Sequence, residues 1–239
     1  MSRSASKSSE RSTLREYTEA ILIAAIFLAF TNVFVVKTFY IPSSSMEDTL
    51  LIGDHLFVNR FVYGPTATPV ERSLLPHRPV QRGDIVIFRS PEDPALDVVK
   101  RCVAVGGDVV EIVDKELLIN GEPVDDDGYT EHRDPFTYRD VPAYSRQQRR
   151  RDQMDPYRVP EEHYFCMGDN RDHSYDSRYW GPLPAHLVKG RASMIYWSDG
   201  GDVSDGSPEA LGTKLSRLGR NFVEFFTKTR WDRTFHMPR

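Results

Sequence analysis

The chain has 239 residues, room for one well-buried domain plus added segments, and its 31 Lys and Arg against 35 Asp and Glu leave a net charge of −4. That balance argues against a chain built to neutralise a phosphate backbone, so nucleic acid is not an expected partner. Cys102 and Cys166 sit in apolar stretches without CxxC or Cys/His spacing, which indicates neither a zinc site nor a disulfide framework and favours buried free thiols.

In chain order, the first predicted element is an apolar run from Ala20 to Val36, AILIAAIFLAFTNVFVV, with Thr31 and Asn32 its only polar residues. As a helix it covers about 25 Å, and Thr38–Ile41 extend it toward the ~30 Å of a hydrocarbon core. Residues 20–41 are therefore read as one transmembrane anchor. Arg3, Lys7, Arg11 and Arg15 precede it, whereas the first basic residue beyond Lys37 is Arg60. The positive-inside rule then leaves residues 1–19 in the cytoplasm and the rest of the chain on the outer face of the cell membrane. A cleaved secretory signal is the rival reading. It is disfavoured because the run is long, and because cleavage near Ser43–Ser45 would destroy the serine motif discussed below.

Beyond Ile41 short runs rich in Val, Ile, Phe and Tyr alternate with Gly, Pro and Asp, which predicts a mainly β domain over 42–198. Expected strands are His55–Tyr63, Asp84–Arg89, Asp97–Val105, Val109–Val113, Leu117–Asn120, His163–Met167 and Ala192–Trp197. Residues 122–160 are charged and pattern-poor and read as an insertion or cap, with the RQQRRR run at Arg146–Arg151 most simply a solvated loop. In the tail, 199–239, Leu211, Leu215, Leu218, Phe222 and Phe225 recur at helical spacing and predict an amphipathic helix.

Three segments carry chemistry. IPSSSMEDTLLIGD places three serines just after the anchor, and a serine hydroxyl is a poor nucleophile until a neighbouring base takes its proton. The seven histidines form no pattern around it, which leaves a lysine as the alternative base. Lys100, in DVVKRCVAVGGD, interrupts an apolar strand next to Arg101. The period of two sends the pair to opposite faces, so if one reaches solvent the other points inward. Either Lys100 is an edge-strand charge that blocks aggregation, or it is a buried amine that loses its proton readily. The third segment, GDNRDHSYDSRYWG, is dense in Asp, Asn and Arg that can lock a rigid loop by charge-assisted hydrogen bonds. Ser174 differs from these, since a hydroxyl can orient a neutral amine without raising its pKa.

On these residues the chain closely resembles the bacterial type I signal peptidases, a Ser/Lys protease family. PSSSM (Pro42–Met46), GDIVIF (Gly83–Phe88), KRCVAVGGD (Lys100–Asp108) and Gly168–Gly181 match the family's boxes in order and spacing. The resemblance implies a signal-peptidase-like β-fold with Ser45 as nucleophile, Lys100 as general base, and Ser43 with the Ser45 N–H as oxyanion hole. It also implies that Ser174 orients Lys100, that Asp176 and Arg178 are structural supports, and that no metal or cofactor is needed. The implied partners are preprotein signal peptides with small residues at the first and third positions before the cleaved bond, the lipid bilayer, and the secretion machinery. Departures from the family pattern are Ser44 for Gly, Asp48 for Pro, and Val98, Ala104 and Gly106 for Tyr, Gly and Pro. Two other readings stay open at this level: a catalytically inactive single-pass binding module on the same scaffold, and a self-cleaving Ser/Lys repressor, which should carry a DNA-binding helical domain where this chain has its apolar segment.

Overall fold

The computed structural model describes residues 6–30, 36–59, 62–63, 78–139, 141, 144–200 and 227–238. It divides into two units at Lys37/Thr38. In the first, helix α1 runs from Ser6 to Phe30. Tyr17, Ile21, Leu22, Ile23, Ile26 and Phe27 on it are 60–69 % exposed. The helix thus starts well before the apolar run, and among the described residues no helix is long and apolar enough to cross a membrane. The expected continuation through Ile41 is corrected. Val36–Tyr40 form strand β1, as β-branched and aromatic residues ahead of Pro42 favour, and Ile41 is fully buried in the core of the second unit. The expected amphipathic helix at Leu211–Phe225 lies outside the described residues.

The second unit is mainly β, with two antiparallel sheets. Strands β2 (Asp54–Asn59), β3 (Ile85–Arg89), β4 (Asp97–Val105), β9 (His163–Met167), β10 (Leu183–Pro184) and β11 (Val188–Ser198) join β1 in a seven-stranded sheet of order β1-β2-β11-β3-β4-β9-β10. Strands β5 (Val109–Val113), β6 (Glu116–Ile119), β7 (Glu122–Pro123) and β8 (Met154–Arg158) form the other, in the order β7-β6-β5-β8. The chain leaves the large sheet after β4 through Gly107, whose φ of +90 makes the turn, and returns along β9.

Val103, Ala104, Phe165 and Met167 of the large sheet pack with Val110, Ile112, Leu117 and Ile119 of the small one. A second core gathers Ile41, Met46 and Leu50 against Leu56, Val58, Ile85, Ile87 and Ile195. A third holds Val86, Phe88, Cys102, Cys166 and Leu183. Strand β4 is therefore covered on both faces, and both Lys100 and Arg101 are buried, at 3 % and 2 % exposure. This removes the premise that one of the pair reaches solvent. The edge-strand reading of Lys100 fails as well, since β4 runs between β3 and β9.

The segment 122–160 is woven into the fold. It supplies β7 and β8, and the arginine run is helix α2 (Arg146–Asp152) rather than a loop, because Ser145 and Gln148 form a reciprocal capping box at its start. Part of this segment also lies beside the third chemical motif: Glu131 and Asn170 form a parallel bridge, with Glu131 N–H donating to Asp169 O at 2.9 Å and Arg171 N–H to Glu131 O at 3.0 Å.

Candidate active site

Pro42 ends the strand conformation of β1, and the chain turns through a single 3-10 turn, Ser44–Met46, with Ser45 at its centre. Ile41, Met46 and Leu50, all fully buried, pin this turn into the core, and Leu50 N–H closes on Met46 O at 2.7 Å. Asn170 clasps it from the other side, its backbone N–H donating to Ser45 O at 3.2 Å and its side-chain amide to Ser44 O at 3.3 Å. Asp48, the residue in place of the family's proline, has φ 76. A proline ring, locked near −65°, cannot adopt that conformation, so the turn differs locally from one with proline there.

Lys100 reaches Ser45 from β4, its Nζ lying 2.5 Å from Ser45 Oγ with both side chains buried. The neighbours two residues away on its own face, Val98 and Cys102, pack in the apolar cluster with Val86 and Phe88. Burial pushes the Lys100 amine down to about 8; Asp176 opposes this and Arg178 assists it. An amine held there is partly neutral near neutral pH and can accept the Ser45 proton across a hydrogen bond that is already formed.

Arg101 points to the opposite face and forks onto Asp169 (Nε–Oδ1 2.8 Å, Nη2–Oδ2 2.7 Å) while donating to Gly83 O at 3.0 Å. Its guanidinium also lies 3.9 Å from the centre of the Tyr129 ring. This ion pair joins the lysine strand to the Gly168–Gly181 loop. Asp176 and Arg178 form a second buried fork (Nε–Oδ1 2.9 Å, Nη2–Oδ2 2.8 Å). Asp176 further accepts from Gly168 N–H at 3.1 Å, and Arg178 donates to the carbonyls of Arg151 and Arg171. Burial would raise the Asp176 carboxyl, but the Arg178 charge, together with contacts from Arg178, Ser174 and the Gly168 N–H, holds the group below the ordinary carboxylate range.

Ser43 is exposed, with its Oγ 3.5 Å from Ser45 Oγ. Ser174 is buried, and its Oγ has no partner in hydrogen-bond geometry, although it lies near enough to Asp176 to help hold that carboxyl down. The structure thus brings Ser43, Ser45 and Lys100 together, pairs Asp176 with Arg178, and leaves Ser174 beside the site without a hydrogen bond to Lys100. Two further residues escaped the sequence reading. Asn170 holds the serine turn, and Gly168 is the point of closest approach: a Cβ there would meet Ser174 Oγ at 2.3 Å and Ser45 O at 2.4 Å. The run of small and amide residues in GDN was the available signal for both. Among the described residues no cluster of side chains could hold a metal ion.

The family model described as "Signal peptidase, peptidase S26" matches residues 14–197. A signal peptidase I of Pseudomonas fluorescens is 35 % identical over 209 residues, covering 77 % of this chain and 73 % of that protein. Another, of Aquifex aeolicus, is 29 % identical over 269 residues and covers 88 % of this chain and 100 % of that protein. A crystal structure of a signal peptidase I from Enterococcus faecalis V583 aligns at 27 % identity with a TM-score of 0.36, covering 48 % of this chain and 98 % of that one.

Proposed function

The chain belongs to the signal peptidase family, peptidase S26, and is a serine peptidase; from that premise we propose that it removes signal peptides from exported preproteins with Ser45 as nucleophile and Lys100 as general base. The observation that carries the assignment of roles is the 2.5 Å contact between a buried lysine amine and a buried serine hydroxyl. The relatives give no support to a catalytically inactive module.

In the proposed reaction the neutral Lys100 amine takes the Ser45 proton as Oγ attacks the carbonyl carbon before the scissile bond. The Ser43 hydroxyl and the Ser45 N–H donate to the oxygen as it becomes an oxyanion; one such donor contributes on the order of 3 kcal/mol. The Lys100 ammonium then protonates the departing amine and the C–N bond breaks, leaving an acyl-Ser45 ester. Water, deprotonated by the regenerated amine, hydrolyses the ester and releases the signal peptide. Ser174 orients Lys100 in this scheme. Its burial in the Gly168–Ser174 loop favours that role, because a hydroxyl adds no charge that would raise the amine. The substrate lies as an extended strand, with shallow pockets that admit only small side chains at the first and third positions before the bond.

We place the enzyme on the cell membrane as a single-pass protein, with the N-terminus in the cytoplasm and the catalytic unit on the outer face near the secretion machinery. The apolar run from Ala20 is the anchor, ending before β1. The exposed Ile21, Leu22, Ile23, Ile26 and Phe27 support this, because apolar side chains in such number call for cover by lipid or protein. The test is processing of a preprotein in detergent by wild type and Ser45→Ala. Loss of at least about 10³-fold in rate is expected, and a variant that cuts as wild type does sinks the assignment.

A further inference from the structure

Cys102 on β4 and Cys166 on β9 take no part in the chemistry above, yet they face each other as register partners, both fully buried and both free thiols. Cys102 donates its N–H to Asp84 O and accepts from Gly83 N–H, each at 2.8 Å, so both of its backbone groups point toward the β3 side. Cys166 N–H goes instead to Ser177 Oγ at 2.9 Å. The two cysteines are therefore a non-hydrogen-bonded antiparallel pair, the kind whose Cα atoms lie about 4.5 Å apart with the side chains closest. That separation falls inside the roughly 4.4–6.8 Å range of disulfides.

The pair flanks the catalytic residues. Cys102 follows Lys100 by two positions on the same face of β4, and Cys166 precedes Gly168 by two on β9. We infer that Cys102 and Cys166 are a disulfide site, and that oxidation clamps the strand carrying Lys100 to the strand leading into the Gly168–Ser174 loop. The oxidant is a disulfide of the small-molecule or oxidoreductase class. One cysteine thiolate attacks it and releases one thiol; the second cysteine displaces the other sulfur and releases the second thiol. Two electrons pass to the oxidant and its two sulfurs leave as thiols, so atoms and charge balance. In the folded protein burial and contact with Cys102 push the Cys166 thiol well up, which keeps it protonated and unreactive. Oxidation thus belongs to folding or to local opening, and the product closes a loop of about 60 residues, which constrains the unfolded chain.

The test uses the detergent-solubilised full chain and oxidised glutathione as probe, with and without sub-denaturing urea, followed by maleimide labelling under denaturing conditions and peptide mass mapping. In urea, a linked Cys102–Cys166 peptide pair and no maleimide uptake are expected, with two maleimides per chain after reduction. Without urea the thiols should remain free for far longer. The oxidised protein should melt roughly 5–10 °C above the reduced one, a gap that Cys166→Ser abolishes. Two labelled thiols after oxidation in urea, or a disulfide that leaves the melting temperature unchanged or lowers it, overturns the clamp. Equally rapid oxidation without urea overturns the assignment to folding or opening.

Discussion

Replacing Lys100 by Met keeps the side chain's unbranched reach out to Cε, with sulfur for one methylene, and removes the amine, which isolates what burying a charge does to stability. The fall from 10.5 to about 8 means that the folded state prefers the neutral amine and the unfolded state the charged one. Between these values the unfolded chain binds more protons, so wild-type stability rises with pH. At pH 7 the buried, mostly charged lysine costs about 3 kcal/mol relative to a neutral side chain, and by pH 10.5 that penalty shrinks to under about 0.5 kcal/mol. Against this, Lys100→Met gives up the hydrogen bond to Ser45, about 1 kcal/mol at any pH. The variant should therefore be inactive and yet more stable than wild type by about 2 kcal/mol at pH 7, and level with it or slightly less stable at pH 10.5. Urea denaturation of both proteins at the two pH values measures this. A stability difference that does not change with pH refutes the claim that Lys100 is desolvated.

Other expectations follow from single contacts. Gly168→Ala puts a methyl at 2.3 Å from Ser174 Oγ and 2.4 Å from Ser45 O, so one side must shift; preprotein cleavage should fall by about 10²-fold or more while circular dichroism at room temperature keeps its β signature. Asp176→Ala strands the fully buried Arg178 without its partner and should cost about 3–5 kcal/mol in chemical denaturation, whereas a loss under about 1 kcal/mol means the fork is not a support.

The strands that were legible are those with one consistent signal. Asp97–Val105, Val109–Val113 and His163–Met167 coincide with β4, β5 and β9, because each is an apolar run bounded by Gly, Asp or Pro. β11 begins earlier than expected, at Val188, since Lys189, Gly190 and Arg191 carry no strand pattern, and Val188, Gly190 and Arg191 are held by pairing with β3. The end of the apolar run misled for the opposite reason: Val36 closes the apolar run and Phe39, Tyr40 and Ile41 follow Lys37 and Thr38 closely enough to read as its extension, whereas Val36–Tyr40 form a strand. Helix α2 was hidden because like-charged arginines argue against a helix until the capping box and the ion pairs of Arg151 with Asp134 and Asp152 are seen. In the site, side-chain chemistry pointed to one of the three serines Ser43–Ser45 and to Lys100, and the family resemblance singled out Ser45, but periodicity could not tell that both faces of β4 are covered, nor that Asn170 and Gly168 hold the serine turn.

Central to the account is an amine that becomes the base by losing its charge close to neutrality. The direct measurement is the rate of preprotein cleavage against pH under kcat/KM conditions. The rate should climb tenfold per pH unit on the acid side and level off with an apparent pKa near 8, the value to which burial brings Lys100. A profile still climbing at pH 10, or one governed by a group near 6, contradicts it.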